Sequence, residues 1–248
     1  MTPIGWAAAA PAAALVVVDD LATSDHERAR VISGPEGHHL QRVRRIATGE
    51  QIVIADGTGR WYLARVVGSS DGRLTVERAG VTHIEAEPTP HLTIAFAPAK
   101  SDHGRDVLHQ LVELGVDRIV PLATERSVVR WDGEGGARAL ERLRRVAQSA
   151  AVQCHRARIP VIESPSPVAS VARRTGLVVA HRDGGSIDSI VVPEFDEWCV
   201  IVGPEGGFTA AEMDLFGAAP LVAIGPHVLR SVTAPVAIAA ALTAQRTI

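Results

Sequence analysis

The stretch VGPEGGFT, Val202–Thr209, has the residue types of a ligand-binding turn. The apolar run before it, WCVIV, is typical of a buried strand, and Thr209 with Glu212 forms the capping-box pattern that opens a helix. Its glycines let backbone N–H groups approach a ligand closely, and the helix start adds N–H groups that have no partner within the helix. The segment therefore predicts a ligand-binding turn, although a tight connection that binds nothing has the same pattern.

Two further segments end predicted strands with small residues. One is LVVAHRDGG, Leu177–Gly185, and the other is LVAIGPHVLR, Leu221–Arg230. Ligands of parallel α/β sheets bind beside the carboxyl ends of strands, so the three segments are expected to meet at one crevice. None has the GK[ST] ending of a phosphate loop or the glycine spacing of a dinucleotide fingerprint, which disfavours both nucleotide classes.

A second GPEG, Gly34–Gly37, follows only a short apolar run, and we interpret it as a turn. It leads into HHLQRVRRI, an arginine-rich pattern that predicts a helix with Leu40, Val43 and Ile46 on one face. Arginine pairs well with phosphate, so this helix predicts contacts with an RNA backbone. A solvated helix face is the alternative.

The elements that must position these residues fall into two groups. Up to Glu87 the chain shows short alternating strands separated by glycine and aspartate turns, which predicts a small β-barrel. The segment Glu85–His91, with two prolines, has the composition of a linker. Beyond it strands alternate with helical patterns, which predicts an α/β domain with a mostly parallel sheet and helices on both faces.

The composition is that of an ordinary globular protein, with 46% hydrophobic residues among 248 and a formal net charge of −3. The alanine-rich N-terminal run has no basic region and ends in Asp19 and Asp20, which argues against a signal peptide, and no apolar run is long enough to span a membrane. We expect a cytoplasmic protein whose first fourteen or so residues are disordered. The two cysteines lack CxxC spacing, so neither a disulfide nor a metal site is expected.

Positive charge is carried almost wholly by arginine, since Lys100 is the only lysine. The middle of the chain, residues 91–165, is its most basic part. Arginine suits bidentate phosphate contacts and stacking on bases. The pattern favours local rather than overall affinity for nucleic acid.

Four segments together resemble the RsmE family of 16S rRNA uridine-N3 methyltransferases, in the SPOUT superfamily. They are LVELGVDRIVPLATERSV, QCHRARIP, VIVGPEGGFTAAE and LVAIGPHVLRSVTAPVAIAAAL. The N-terminal HHLQRVRR and GEQIVIADGTG are similar to the PUA-like RNA-binding barrel of that family. The likeness covers essentially the whole chain.

The resemblance implies an α/β fold in which a PUA-like β-barrel domain, residues 1–87, precedes a SPOUT domain with a deep trefoil knot, residues 91–248. It also implies S-adenosylmethionine as the cofactor, 16S rRNA of the 30S subunit as the partner and a homodimer. The reaction would methylate N3 of a specific uridine without a metal.

The resemblance also implies roles for individual residues, carried over by position. Those expected to hold the cofactor are Ala180, His181, Val202, Gly203, Pro204, Glu205, Gly206, Gly207, Ile224, Gly225, Val228, Leu229 and Arg230. Those expected beside the target base are Arg230, Arg156 and Gln153. Those expected to contact RNA are His39, Arg42, Arg44, Arg45, Arg126 and Arg158. His155 is a conceivable proton acceptor, but the sequence identifies no general base.

Three positions depart from the family pattern. Val232 replaces an acidic residue, Gln110 replaces a lysine and Val152 replaces a glutamate. These changes leave two alternatives open. The chain could methylate another RNA position, or it could bind the ribosome without catalysis.

Overall fold

The structure, a computed structural model, describes residues 12–21, 29–98, 103–129, 131, 133–190 and 196–247. The chain divides into two compact units. The first extends to Ala86 and also includes Ala151–Ile159, and the second comprises Glu87–Ala150 and Pro160–Ile248. The expected disorder of the first fourteen residues falls mostly outside the described residues.

The first unit contains one six-stranded sheet. Its strands are β1 (Leu15–Val17), β2 (Ala29–Ile32), β3 (Gln51–Ala55), β4 (Arg60–Ser70), β5 (Arg73–Arg78) and β6 (His83–Ile84). The order is β1-β3-β4-β5-β2 with β6 on β4, and every pair except β1–β3 is antiparallel. In β5 the alternating sequence buries Leu74 and Val76 and leaves Arg73 and Glu77 exposed. Closure of this sheet into a barrel stays a prediction.

The first GPEG is the start of a short helix rather than a turn. Helix α1 (Gly34–His38) has Ser33 as its N-cap residue and Pro35 in its first turn, where a missing N–H costs no helical hydrogen bond. A π-helical segment, His39–Val43, continues it. The prediction of a turn was wrong because proline and glycine also occur at helix starts.

The π-helical segment also overturns the predicted position of Val43. Leu40 and Ile46 are buried as expected, but Val43 is 65% exposed. The Arg44 N–H donates to the His39 carbonyl at 3.0 Å, five residues back, so the turn is wider than in an α-helix. The wider turn rotates Val43 away from the buried face.

The segment Ala151–Ile159, which sequence analysis assigned to the second domain, packs within the first unit around Glu85. The buried Glu85 carboxylate accepts a hydrogen bond of 2.7 Å from the Ala157 N–H. The Arg158 guanidinium donates to the Glu85 carbonyl at 3.4 Å and lies against Gly59. Gly59 has φ +100°, which favours glycine, and a methyl group there would come within 2.5 Å of Arg158 Nη2.

Glu85 is expected to make stability depend on pH. Burial raises the pKa of its carboxyl, opposed by the Ala157 N–H and the charges of Arg156 and Arg158. Between the ordinary glutamate pKa and this raised pKa the folded protein binds more protons than the unfolded chain, so the free energy of unfolding falls as pH rises. In Glu85→Gln this fall should disappear because an amide does not titrate, and the amide oxygen can still accept from the Ala157 N–H. Urea unfolding between about pH 4 and pH 8 measures how the free energy of unfolding of the wild type and of Glu85→Gln depends on pH. Two parallel curves would contradict the prediction.

The second unit is built on a seven-stranded parallel sheet, as the alternating pattern predicted. Its strands are β7 (His91–Phe96), β8 (Arg118–Ala123), β9 (Val161–Ile162), β10 (Ser166–Pro167), β11 (Leu177–Ser186), β12 (Glu197–Val202) and β13 (Leu221–Ala223). The order is β10-β8-β7-β12-β11-β13, with β9 on β8, and every pair is parallel. The β12 run is buried throughout from Trp198 to Val202, as a central parallel strand requires.

Within the described residues, five α-helices accompany this sheet. They are α2 (His103–Glu113), α3 (Gly133–Gln153), α4 (Val168–Val171), α5 (Ala210–Asp214) and α6 (Ala234–Thr243). Thr233 precedes α6 at the predicted cap position, but its side chain makes no capping hydrogen bond. In the part of the chain that the structure describes, no helix is both long and apolar enough to cross a membrane.

A buried arginine joins residues distant in sequence within the second unit. The Arg246 guanidinium donates to the carbonyls of Pro90 at 2.7 Å, Gly115 at 2.9 Å and Pro88 at 2.9 Å. It also pairs with the Asp117 carboxylate, which accepts from the Leu92 N–H at 2.8 Å. The Arg246 side chain is 2% exposed, and four of its five N–H donors bond to these protein acceptors.

Candidate functional site

A cavity of about 680 Å³ lies in the second unit, where β12 and β13 end and beside the middle of β11. Three segments form its wall, and they are the three that sequence analysis brought to one crevice. Every residue predicted to hold the cofactor lines this cavity. The lining also includes residues that the sequence did not single out, namely Arg182, Phe208, Met213, Val222, Ala223, His227, Ser231 and Ala234.

The turn after β12 has a defined backbone. Gly207 has φ +66°, a conformation that glycine adopts without strain, and its N–H donates to the Pro204 carbonyl at 2.8 Å. The predicted capping box is confirmed. Thr209 Oγ1 accepts from the Glu212 N–H at 3.2 Å, and Glu212 Oε2 accepts from the Thr209 N–H at 2.9 Å.

Glu125 and Arg126, in the segment after β8, form hydrogen bonds with the glycine turn and with the helix that follows it. The other carboxylate oxygen of the buried Glu212, Oε1, accepts from the Glu125 N–H at 2.9 Å. Arg126 Nη1 donates to the Gly206 carbonyl at 2.7 Å and is 3.4 Å from that of Phe208. Arg126 was predicted to contact RNA, and the structure places it on the cavity wall. Its position directly after a strand was the sequence signal that could have indicated this.

Strand β11 continues past the turn predicted after His181 and ends at Ser186. Its pairing with β13 shifts register between Ala180 and Gly185. A methyl group at Gly184 would lie 2.4 Å from the Val222 nitrogen, so glycine permits this close approach. The glycines interpreted as a turn therefore serve strand pairing.

The segment after β13 is tied to the glycine turn by one side-chain contact. The buried Ser231 hydroxyl donates to Glu205 Oε1 at 2.5 Å. Beside it, Val228 is 74% exposed and Arg230 is exposed at the cavity wall. The contact fixes two cavity-lining segments relative to each other.

The cavity combines an apolar wall with a charged rim. Its larger apolar residues include Val202, Phe208, Met213, Val222, Ile224 and Leu229. Arg126, Arg182 and Arg230 contribute three positive charges against the single carboxylate of Glu205. At His181, Nδ1 accepts from the Asp183 N–H at 3.2 Å, which leaves the proton of the neutral ring on Nε2. Such a site suits a ligand with an apolar body and an anionic end.

The residues predicted beside the target base lie in different units. Arg230 lines the cavity of the second unit, whereas Gln153 and Arg156 belong to the first. Gln153 is exposed and Arg156 is half-buried. Their joint action stays a prediction.

The predicted RNA contacts of the first unit are mostly exposed. His39, Arg42, Arg44 and Arg45 all face solvent on or just after the π-helical segment, and Arg44 Nη2 donates to the Ala13 carbonyl at 2.6 Å. Arg158 is half-buried and engaged with Glu85 and Gly59. His39, Arg42 and Arg45 are exposed to a partner, whereas Arg44 and Arg158 also make contacts within the protein.

Comparison with known proteins decides the family. A model of the RNA methyltransferase domain matches residues 85–243, and one of the RNA methyltransferase PUA domain matches residues 32–77. The ribosomal RNA small subunit methyltransferase E of Mycobacterium bovis is 35% identical over 234 residues, which cover 90% of this chain and 88% of that protein. The chain belongs to the methyltransferase E family. The predicted RsmE family is thereby confirmed.

Other methyltransferase E proteins and structures agree. The Bacillus subtilis methyltransferase E is 26% identical, with 86% of this chain and 89% of that protein covered. The Neisseria gonorrhoeae enzyme, solved bound to S-adenosyl methionine, superposes with a TM-score of 0.79 at 26% identity, covering 94% of this chain and 97% of that one. The putative methyltransferase Lpg2936 of Legionella pneumophila, solved with bound SAM, superposes with a TM-score of 0.79 at 26% identity. The match covers 89% of this chain and 94% of that one. These likenesses confirm the α/β methyltransferase fold.

The departures from the methyltransferase E pattern do not line this cavity. Gln110 and Val232 line a second cavity of about 380 Å³ with residues of α2 and α6. Val152 packs against a core cluster of the first unit that contains Leu15 and Trp61. Among the described residues, no group of three or more His, Cys, Asp or Glu could hold a metal ion.

Proposed function

We propose that this protein transfers a methyl group from S-adenosylmethionine to N3 of a specific uridine in the 16S rRNA of the 30S subunit. One observation carries the proposal: the segments of the second unit that the family resemblance assigned to the cofactor form one cavity. The relatives are named ribosomal RNA small subunit methyltransferases, which supports methyl transfer as the reaction and small-subunit rRNA as the substrate.

The residues of the cavity fit S-adenosylmethionine. A volume of about 680 Å³ is within the range of cofactor sites. The apolar wall would hold the adenine ring, the glycine turn would offer backbone N–H groups, and Arg126 or Arg230 would pair with the carboxylate. When bound, the cofactor supplies a methyl group on a positively charged sulfur.

The RNA side of the reaction requires a charged and accessible rim. Uridine N3 lies on the Watson–Crick edge, so the base must leave its pair or stack before it can react. The imide proton must also pass from N3 to a base or to solvent water, and a nearby guanidinium favours the resulting anion. Arg230, exposed at the cavity, is the group that we assign to this role, assisted by Arg156 and Gln153.

We also propose the finer features that the family resemblance implies. These are a trefoil knot in residues 91–248, a PUA-like RNA-binding barrel in residues 1–87, a homodimer and a cytoplasmic location. The fully parallel sheet of the second unit supports the knotted domain, and the predominantly antiparallel sheet of the first supports the barrel. A dimer would let one subunit present RNA to the cofactor of the other.

Calorimetric titration with S-adenosylmethionine, run on the wild type and on Gly206→Val, tests the proposal. A methyl group at Gly206 would lie 3.3 Å from Arg126 Cδ, so valine should displace Arg126 and crowd the cavity. We expect binding to weaken about tenfold or more, in line with the cost of overpacking.

Gly80→Val is the matched control, because a methyl group there meets nothing within 4 Å and Gly80 lies in the first unit. It should bind like the wild type. If a folded wild-type protein does not bind the cofactor, the methyltransferase proposal fails. If it binds but methylates a different nucleotide of the 30S subunit, only the target is wrong.

A further inference from the structure

Helix α3 carries a row of basic and polar residues along the centre of its exposed face. Arg138, Arg142, Arg145 and Ser149 are all exposed, at spacings of four, three and four residues. At roughly 100° per residue these positions lie within about 60° of one another. The buried residues on the opposite side are Gly136, Leu140 and Ala147. The row therefore points away from the core of the unit.

The arginines of α3 differ in their partners. Arg138 Nη2 lies 3.3 Å from Glu134 Oε2, and Arg144 Nη1 lies 2.5 Å from Glu141 Oε1. Within the described part of the chain, Arg142 and Arg145 form no ion pair. Two neighbouring guanidinium groups in the row thus keep their positive charge uncompensated.

The stability of the helix does not explain this arrangement. Like charges three or four residues apart destabilise a helix, and the row places Arg142 next to both Arg138 and Arg145. Glu141 stands four residues before Arg145, but its carboxylate pairs with Arg144 and so does not offset the charges of Arg142 and Arg145. The uncompensated arginines therefore indicate an anionic partner.

The chemistry of the row fits an RNA backbone. Guanidinium groups bind phosphate oxygens through paired hydrogen bonds, and serine and glutamine side chains also donate to phosphates. Ser149 lies in the row and the exposed Gln148 lies beside it. The row has no large apolar side chain that could enter a membrane.

We infer that the exposed row of α3 is a further RNA contact surface, in which Arg142 and Arg145 bind phosphates of the substrate RNA. The inference rests on the proposed function for the identity of that RNA. The contact is to the backbone, so it adds affinity and orientation without reading sequence.

Filter binding of 30S subunits and of naked 16S rRNA, between about 50 and 200 mM salt, tests this with Arg145→Gln and Arg144→Gln. These adjacent residues lie on one helix, but only Arg145 is in the row and only Arg144 has an acidic partner. Arg145→Gln should make the negative slope of log K against log salt less steep by about one. The double variant, with both Arg142→Gln and Arg145→Gln, should make it less steep by about two. At the lowest salt the double variant should bind about tenfold more weakly. Arg144→Gln should match the wild type.

A double variant with wild-type affinity and slope overturns the inference, as does a wild-type protein that binds neither RNA. Titration with S-adenosylmethionine should give the same affinity in all variants, because none of these residues lines the cofactor cavity. Failure of the wild type to bind the cofactor would instead count against the proposed function and leave the salt slopes interpretable.

Discussion

Replacement of Glu212 by alanine is expected to lower the free energy of unfolding by about 2–4 kcal/mol. The buried carboxylate accepts from the Thr209 N–H and the Glu125 N–H, both at 2.9 Å. Alanine leaves both donors without this acceptor and removes half of the capping box of α5. Urea denaturation measures the loss. The affinity for S-adenosylmethionine should fall as well, because the same carboxylate holds the glycine turn that lines the cavity.

Asp214→Ala is the control for this effect. Asp214 is an exposed carboxylate at the end of the same helix, so its removal should change the unfolding free energy by less than about 0.5 kcal/mol. Equal stability of the two variants would show that Glu212 does not hold the turn.

The second large effect is expected for Arg246→Met, which should destabilise the protein by about 3–5 kcal/mol. Methionine fills similar space but leaves the Asp117 carboxylate buried without its cation. The carbonyls of Pro88, Pro90 and Gly115 lose their donor at the same time. Thermal and urea unfolding, compared with the wild type, measure the loss.

Adding Asp117→Asn to Arg246→Met should recover part of this stability, since the uncompensated charge is then removed. Arg118→Met provides a control, because Arg118 pairs with Glu163 at 2.7 Å but its side chain is 43% exposed. The control should lose about 1 kcal/mol or less. A loss of that size in Arg246→Met would contradict the buried-pair interpretation.

Much of the fold could be predicted from periodicity because strands such as β12 are buried apolar runs, and Gly203 follows that strand directly. The strand Arg118–Ala123 has the predicted bounds. The failures occur where hydrogen bonding departs from the ideal. Val43 lies in a π-helical turn, and β11 continues across a register shift to Ser186, neither of which a fixed period detects.

The cavity wall could be predicted because its residues follow strand ends directly. Arg126 and Glu212 were harder to assign, since their partners are the Gly206 carbonyl and the Glu125 N–H, which are 80 and 87 residues away in the chain. The packing of Ala151–Ile159 within the first unit includes a hydrogen bond to Glu85, a carboxylate in a segment with the composition of a linker. Contacts of this kind depend on tertiary structure, and no local pattern encodes them.

The cavity shared by Gln110 and Val232 gives the two departures a common meaning. The family resemblance implies a lysine at position 110 and an acidic residue at position 232, whereas this chain has an amide and an isopropyl group there, so the summed charge of the two positions would be the same. Either replacement alone would leave one charge without its counterpart, whereas both together are neutral. We expect the two positions to covary through evolution as a pair, independently of the chemistry in the larger cavity.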